Sequence, residues 1–73
     1  MRALALRNRL KYWRHKLQID TQKEFAEFLG VKQQMLSRWE NQTQQPTLET
    51  AWRIKEKLGC HVDDLFEWIE GSE

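Results

Sequence analysis

Residues 22–41 carry the pattern that most restricts how this chain can fold. Apolar side chains recur at helical spacing on both sides of Gly30, which lies one helical turn after the small residue Ala26. Glycine adopts a left-handed backbone at little cost, so Gly30 ends one helix and opens a turn. The apolar positions that would fill the angle between two helices are Phe25, Leu29, Val31, Leu36 and Trp39. The segment therefore predicts two helices joined by a turn of about three to four residues, a helix-turn-helix unit.

The rest of the chain is also predicted to be helical, because one proline and three glycines are its main helix breakers. A first amphipathic helix is indicated by the spacing of Leu6, Leu10, Trp13 and Leu17. Asp20 or Thr21 caps the second helix, and Thr47 caps the fourth. A short fifth helix leads into a tail, residues 67–73, that can become extended. We expect an all-α, compact five-helix domain that spans residues 1–73.

The composition excludes several classes of protein. With 73 residues, 40% apolar and 32% charged, the chain has the make-up of one ordered globular domain. It has no signal-peptide pattern and no apolar run near the roughly 18 residues of a membrane span, so we expect a cytoplasmic protein without a membrane partner. The single cysteine, Cys60, excludes an internal disulfide, and His15 and His61 lack further ligands at metal-binding spacing.

Catalytic patterns are not visible in the sequence. It shows no arrangement of nucleophile and base and no glycine-rich phosphate loop. His15 lies on a basic helix and His61 at a helix start, so both histidines have ordinary structural explanations. We therefore expect a protein that is not an enzyme, that uses no metal or cofactor, and that has no small-molecule ligand domain.

The two ends of the chain carry opposite charge, although the formal net charge is only +1. Residues 1–18 contain no acid and the bases Arg2, Arg7, Arg9, Lys11, Arg14 and Lys16. Residues 59–73 contain no lysine or arginine and the acids Asp63, Asp64, Glu67, Glu70 and Glu73. This distribution suits a protein that turns one face towards a polyanion and keeps the other face away from it. Solvated helix faces of opposite sign explain the charges equally well.

The second helix of the helix-turn-helix unit begins with two adjacent glutamines. With Met35, Leu36 and Trp39 turned inward, its outward face carries only side chains that can donate hydrogen bonds, with Asn41 at the end. Glutamine pairs bidentately with adenine and arginine with guanine, and the N-terminal part of such a helix meets base edges in the major groove. The predicted contacts to bases of double-stranded DNA are Gln33, Gln34, Ser37 and Arg38. The alternative is a polar face that meets only water.

Other polar residues are placed to hold the DNA backbone rather than to read bases. Gln22 begins the first helix of the unit, where N–H groups and the helix dipole favour a phosphate. Asn41, Thr43 and Gln44 lie in a donor-rich loop after the second helix. Lys32 adds positive charge at the start of that helix. We predict that these five residues contact the sugar–phosphate backbone.

The segments "TQKEFAEFLGV", "LSRWEN", "PTLET" and "KLGCHVDDLF" resemble the Cro/repressor-type helix-turn-helix family, also called the xenobiotic-response-element family, of bacterial and phage regulators. The resemblance covers the chain from about Leu10 to Phe66. It implies a lambda-repressor-like five-helix fold, major-groove binding by residues 33–41, and a homodimeric transcriptional regulator, in our interpretation a repressor, on a palindromic operator. The adjacent glutamines are similar to base-reading residues of some lambdoid phage repressors. The resemblance also implies an ion pair between Arg14 and Glu40 that would orient Arg14 towards a phosphate.

The chain departs from the family pattern at two places in the unit. Lys32 stands where many members have serine or threonine, so the second helix is expected to lack a side-chain cap. Gln42 stands where glycine is common, so either Asn41 or Gln42 is expected to adopt a left-handed backbone. The turn before Thr21 is also one residue longer than is common.

The last helix and tail are predicted to form a dimer interface. A single copy of so small a domain reads too few bases for tight binding. The inward face of the fourth helix is already filled by Leu48, Ala51, Ile54 and Leu58, so the apolar side chains near the end need another partner. The predicted self-complementary patch is Val62, Leu65, Phe66, Trp68 and Ile69. Capping of the monomer core is the alternative for these residues.

The alternative function is a protein-binding module, such as the antitoxin of a toxin–antitoxin pair.

Overall fold

A computed structural model describes residues 3–71, with side chains between residues 5 and 69. In that part of the chain, five helices are framed by two strands. The elements are β1 Ala3–Asn8, α1 Leu10–Lys16, α2 Gln22–Leu29, α3 Gln33–Glu40, α4 Leu48–Leu58, α5 Val62–Leu65 and β2 Phe66–Gly71. The description does not include Arg2 or residues 72–73, so two of the end charges, Arg2 and Glu73, and the last part of the predicted tail lie outside it. The side chain of Glu70 lies outside it as well.

The expectation of an all-α fold is wrong at the two ends, which form a two-stranded antiparallel sheet. We call this sheet, strands β1 and β2, the ribbon. Its register pairs Leu6 with Trp68 and Asn8 with Phe66. The spacing of Leu6 and Leu10 predicted one continuous helix, but the helix begins only at Leu10. The predicted extension of the tail is confirmed, and it starts at Phe66.

Asn8 marks the point at which strand β1 ends and the first helix is about to begin. Asparagine competes with helix hydrogen bonds through its side chain and is favoured just outside a helix. Here the Asn8 Oδ1 atom accepts the N–H of Leu10, the first residue of α1, at 3.1 Å, while Arg9 at the N-cap position makes no side-chain capping bond. The pairing partner of β1 is about 60 residues away in the chain, so local periodicity carries no sign of it.

The boundaries of α2 and α4 follow the predicted capping residues. Thr21 Oγ1 accepts the N–H of Glu24 at 3.1 Å, and Thr47 Oγ1 accepts the N–H of Thr50 at 3.2 Å. Gly30, with φ of 75°, ends α2 in the left-handed conformation that glycine adopts easily. The N–H groups of Gly30 and Val31 both donate to the carbonyl of Ala26, which closes the turn between α2 and α3.

One apolar cluster joins the helices. Its buried members are Leu10, Phe25, Ala26, Leu29, Leu36, Trp39, Ala51, Ile54 and Leu65. Four of the five apolar positions predicted for the helix-turn-helix angle belong to it, and Val31 packs partly buried against it. The predicted inward face of α4 is wrong at Leu48, which is 73% exposed. Leu48 occupies the first position of α4, where the chain has just left the exposed loop.

Candidate nucleic-acid interface

Helix α3 buries one side and presents the other to solvent. Leu36 and Trp39 are buried, whereas Gln33, Gln34 and Arg38 are exposed. Ser37 lies half-buried on the same outward side. The Arg38 guanidinium lies 3.9 Å from the Met35 sulfur, so it runs along the helix surface and not into the core. The four predicted base contacts thus form one surface that is rich in hydrogen-bond donors and free of acids.

The start of α3 has no side-chain cap, as the sequence predicted. Lys32 occupies the N-cap position with an extended backbone, and its side chain makes no capping hydrogen bond. The first N–H groups of a helix have no partner within the helix, so they favour an anion when no side chain caps them. The exposed ammonium of Lys32 adds positive charge at this point.

The ion pair between Arg14 and Glu40 is confirmed. Arg14 Nε and Nη2 donate to the two carboxylate oxygens of Glu40 at 2.9 and 3.1 Å. The Glu40 side chain is only 2% exposed, so the pair holds α1 against the end of α3 in a water-poor setting. Arg14 Nη1 also donates to the carbonyl of Asp20 at 3.3 Å. The guanidinium is therefore held mainly by the protein and keeps two N–H bonds for another ligand.

Gln22 is drawn into the same network. Its Nε2 donates to Glu40 Oε1 at 3.1 Å, and the side chain is half-buried. One of its two amide N–H bonds is thus committed, which leaves one for a phosphate. The network places the start of α2 next to the end of α3, so the predicted backbone-contacting residues Gln22 and Arg14 share one carboxylate as their anchor.

In the loop after α3, Gln42 adopts a left-handed backbone and the Thr43 hydroxyl is already hydrogen-bonded within the protein. The expected left-handed residue is Gln42, with φ of 61°, whereas Asn41 remains in the right-handed region and is exposed. The Thr43 hydroxyl and backbone N–H both donate to the carbonyl of Arg38, at 3.1 and 3.0 Å. Thr43 therefore closes the end of α3, and its hydroxyl hydrogen is not offered to a phosphate. Gln44 is exposed.

Three amide side chains join this loop to the ribbon, and nothing in the sequence indicated this contact or the part that Asn8 plays in it. Gln42 Oε1 accepts the backbone N–H of Asn8 at 3.2 Å, and Gln42 Nε2 donates to the backbone carbonyl of Asn8 at 3.0 Å. Asn8 Nδ2 donates to the Trp39 carbonyl and to Gln45 Oε1, both at 2.7 Å. Gln45 Nε2 in turn donates to Gln42 Oε1 at 2.9 Å. We call Asn8, Gln42 and Gln45 the amide lock.

The predicted dimer patch is divided between three places. Leu65 is fully buried in the core, so it is not available to a partner and that prediction is wrong. Ile69 lines a cleft beside the amide lock. The other three residues, Val62, Phe66 and Trp68, line a groove of about 390 Å³. We call it the apolar groove. Its apolar walls are Leu6, Pro46, Leu48, Ala51, Val62, Phe66 and Trp68.

Other chemistry is not indicated by the described residues. Between residues 3 and 71, no group of three or more histidine, cysteine or acidic residues is arranged to hold a metal ion. No helix in that range is long and apolar enough to cross a membrane. Burial raises the pKa of the Cys60 thiol, the nearby Asp64 carboxylate adds to the rise, and Lys55 opposes it. Cys60 therefore stays a neutral thiol at neutral pH, and the neutral form is the unreactive one.

Two packed helices with a tight turn, and a second helix whose exposed face is made of hydrogen-bond donors, define a DNA-binding helix-turn-helix protein. A sequence model of the helix-turn-helix family matches residues 10–65. The chain is also 35% identical over 63 residues to MJ0272, an uncharacterized HTH-type transcriptional regulator of Methanocaldococcus jannaschii. That alignment covers 84% of this chain and 91% of the relative. The chain belongs to the Cro/repressor-type helix-turn-helix family of DNA-binding transcriptional regulators.

Proposed function

We propose that this chain is a sequence-specific repressor that binds a palindromic operator as a homodimer, with α3 in the major groove. The observation that carries the proposal is the exposed face of α3. It concentrates amide, hydroxyl and guanidinium donors on one side while Leu36 and Trp39 anchor the other side in the core. A helix fixed in this way presents its donors at defined positions, which base recognition requires.

Within this face we assign base reading to four residues, Gln33, Gln34, Ser37 and Arg38. The two glutamines lie in the first turn of α3, the part of a recognition helix that reaches deepest into the groove. Bidentate pairs of glutamine with adenine or of arginine with guanine each give about 1–3 kcal/mol of discrimination. Asn41, Gln44, Lys32 and the remaining N–H bonds of Gln22 and Arg14 then hold the backbone on either side.

The apolar groove supports the homodimer. Leu48 and Trp68 are 73% and 68% exposed, and Leu6 is 40% exposed, although all three are large apolar side chains of one surface. A second copy of the same groove covers these side chains and brings two-fold symmetry, which matches a palindrome. Pro46, in the loop that leads away from α3, also lines the groove. In such a dimer the two copies of α3 would have to lie about 34–36 Å apart to meet half-sites one helical turn apart.

Repression follows from occupancy of the operator. A dimer that fills two adjacent major grooves excludes other proteins from the same DNA, and this needs only the α3 face and the apolar groove. Activation needs an additional surface that recruits the transcription machinery. A reporter gene placed behind the operator tests this assignment, with lower expression when the protein is present as the expected result.

The operator itself is accessible by selection of bound duplexes from a random library at physiological salt, followed by sequencing. We expect enrichment of a palindrome with half-sites about one helical turn apart. If only salt-sensitive binding without sequence enrichment is found, sequence-specific repression is wrong and a protein-binding module becomes the better proposal. If a single half-site without a palindrome is enriched, base recognition stands and the homodimer is wrong.

A further inference from the structure

The ribbon lies beside the loop that follows the recognition helix. Arg7 of β1 is exposed and lines a cleft of about 370 Å³ together with Asn41 and Gln42. Asn41 is the residue with which the outward face of α3 ends, because Gln34, Arg38 and Asn41 follow one another at helical spacing. A duplex that lies along this face therefore meets the cleft, and Arg7 in it, directly beyond Asn41.

The amide lock fixes Arg7 in this position. Asn8, the next residue in the chain, is 4% exposed, and both its backbone groups bond to the side chain of Gln42. The Asn8 side chain also reaches the carbonyl of Trp39 in the last turn of α3. The strand that carries Arg7 is thereby fastened to the recognition helix itself and cannot swing away from it.

The charge of the cleft suits an anion. Its lining consists of Ala5, Leu6, Arg7, Asn41, Gln42, Gln45 and Ile69, of which Arg7 alone is charged. Glu67, which is paired with Arg7 in the strand register, makes an ion pair with Arg9 at 3.5 Å. The Glu67 carboxylate, on the neighbouring strand, is thus engaged with another guanidinium, and the other side chains that line the cleft are neutral, with amide groups on Asn41, Gln42 and Gln45.

We propose that Arg7 contacts the phosphate backbone of the operator beside Asn41, so that strand β1 is a second DNA-contacting element. This deepens the proposed function and rests on it. Arginine binds phosphate through a planar fork of N–H donors, and the cleft brings Arg7 together with the amide side chain of Asn41 without a carboxylate among its lining residues. The contact lies between the recognition helix and the apolar groove, towards the centre of the operator.

The test compares the salt dependence of operator binding for the wild-type protein and for Arg7→Gln, Arg7→Lys and Lys57→Gln. Lys57 is a matched control because it is an exposed base in the last turn of α4, at the opposite end of that helix from the loop. Log K falls as salt rises, and we expect Arg7→Gln to make the negative slope of log K against log salt less steep by about 0.9 for each protomer. When salt is raised from 50 to 200 mM, the affinity of Arg7→Gln should therefore fall by a factor about 3.5 times smaller than that of the wild-type protein, for each contact removed. Arg7→Lys and Lys57→Gln should keep the wild-type slope.

Ethylation of individual operator phosphates gives an independent result. We expect ethylation of one phosphate in each half-site, near the operator centre, to interfere with binding of the wild-type protein and not of Arg7→Gln. The proposal is overturned if Arg7→Gln keeps both the wild-type slope and the wild-type interference pattern. It is also overturned if Lys57→Gln lowers the slope as much as Arg7→Gln, because the charge then acts without a defined contact. If the wild-type protein shows no binding at any salt concentration, the proposed function itself fails.

Discussion

Gln33 and Gln34 stand at the start of α3 with neither a capping role nor a place in the core. An amide side chain in such a position has no folding task to perform. Replacing it should therefore change recognition without changing stability, and this separates the two glutamines from the amides of the lock.

Gln33→Ala should relax the base preference at one operator position and weaken binding to the preferred base by about 1–3 kcal/mol. The measurement is the affinity for the operator and for its single-base variants. Gln44→Ala is the control, since Gln44 is an exposed amide in the loop and should weaken binding uniformly. Equal weakening of every DNA sequence by Gln33→Ala would show that this residue does not read a base.

Gln42 performs the opposite kind of task. It holds a left-handed backbone at φ of 61°, which is unfavourable for any residue with a Cβ atom, and its amide bonds to both backbone groups of Asn8. Gln42→Ala keeps the strain and leaves the Asn8 groups without their partner, so it should lower the free energy of unfolding by about 1–3 kcal/mol. Gln42→Gly loses the same bonds but relieves the strain, and should be more stable than Gln42→Ala by about 1 kcal/mol.

Urea unfolding of the three proteins measures these differences. Wild-type stability of Gln42→Ala would mean that the amide lock contributes nothing, and equal stability of Gln42→Gly and Gln42→Ala would mean that the left-handed backbone carries no strain. The sequence predicted a left-handed residue at Asn41 or Gln42 because glycine is absent there, and the structure places it at Gln42, although asparagine tolerates that backbone better. It did not predict the lock, because Asn8 lies 34 residues away and a single asparagine gives no sign of its partner.

The helices α2 to α4 could be predicted because capping residues, turn glycines and apolar spacing mark them within their own segments of the sequence. Thr21, Thr47, Gly30 and the apolar spacing of residues 25–39 need no knowledge of the rest of the chain. The ribbon was not predictable in this way. Leu6 and Leu10 fit a helical period and also fit the end of one strand and the start of a helix, and only the distant partner strand decides between them. Burial of Leu65 depends likewise on how α5 returns to α1.

Between elements, the pairing of α1 with α3 depends on a buried charge. Glu40→Gln leaves the Arg14 guanidinium, itself only 12% exposed, without its counter-charge. We expect the free energy of unfolding to fall by about 3 kcal/mol, because an unpaired buried charge is costly. Thermal or urea unfolding measures this. Glu56→Gln is the control: it removes a carboxylate that is 64% exposed and should cost no more than about 1 kcal/mol. Similar losses in both variants would show that the buried pair has no special role.

At the scale of the whole molecule, the apolar groove is expected to determine the oligomeric state. Trp68→Gln should shift the protein from dimer to monomer and leave the fold intact, since Trp68 is already 68% exposed in one copy. Trp52→Gln is the matched control, because Trp52 is 53% exposed but lies outside the groove. Sedimentation at tens of micromolar distinguishes the states. A monomeric wild-type protein, or a Trp68→Gln protein that remains dimeric, would contradict the interface.

The ribbon also orders events during synthesis. Strand β1 is synthesised before α1 to α5 and has no partner until residues 66–71 follow these helices. Two paired strands alone are only marginally stable. The ribbon and the amide lock therefore form only after β2 has been synthesised. In a nascent chain, the helix-turn-helix unit therefore folds before the amide lock joins the loop after α3 to the ribbon. If strand β1 contacts DNA as proposed, that contact becomes available only after the two strands of the ribbon have paired.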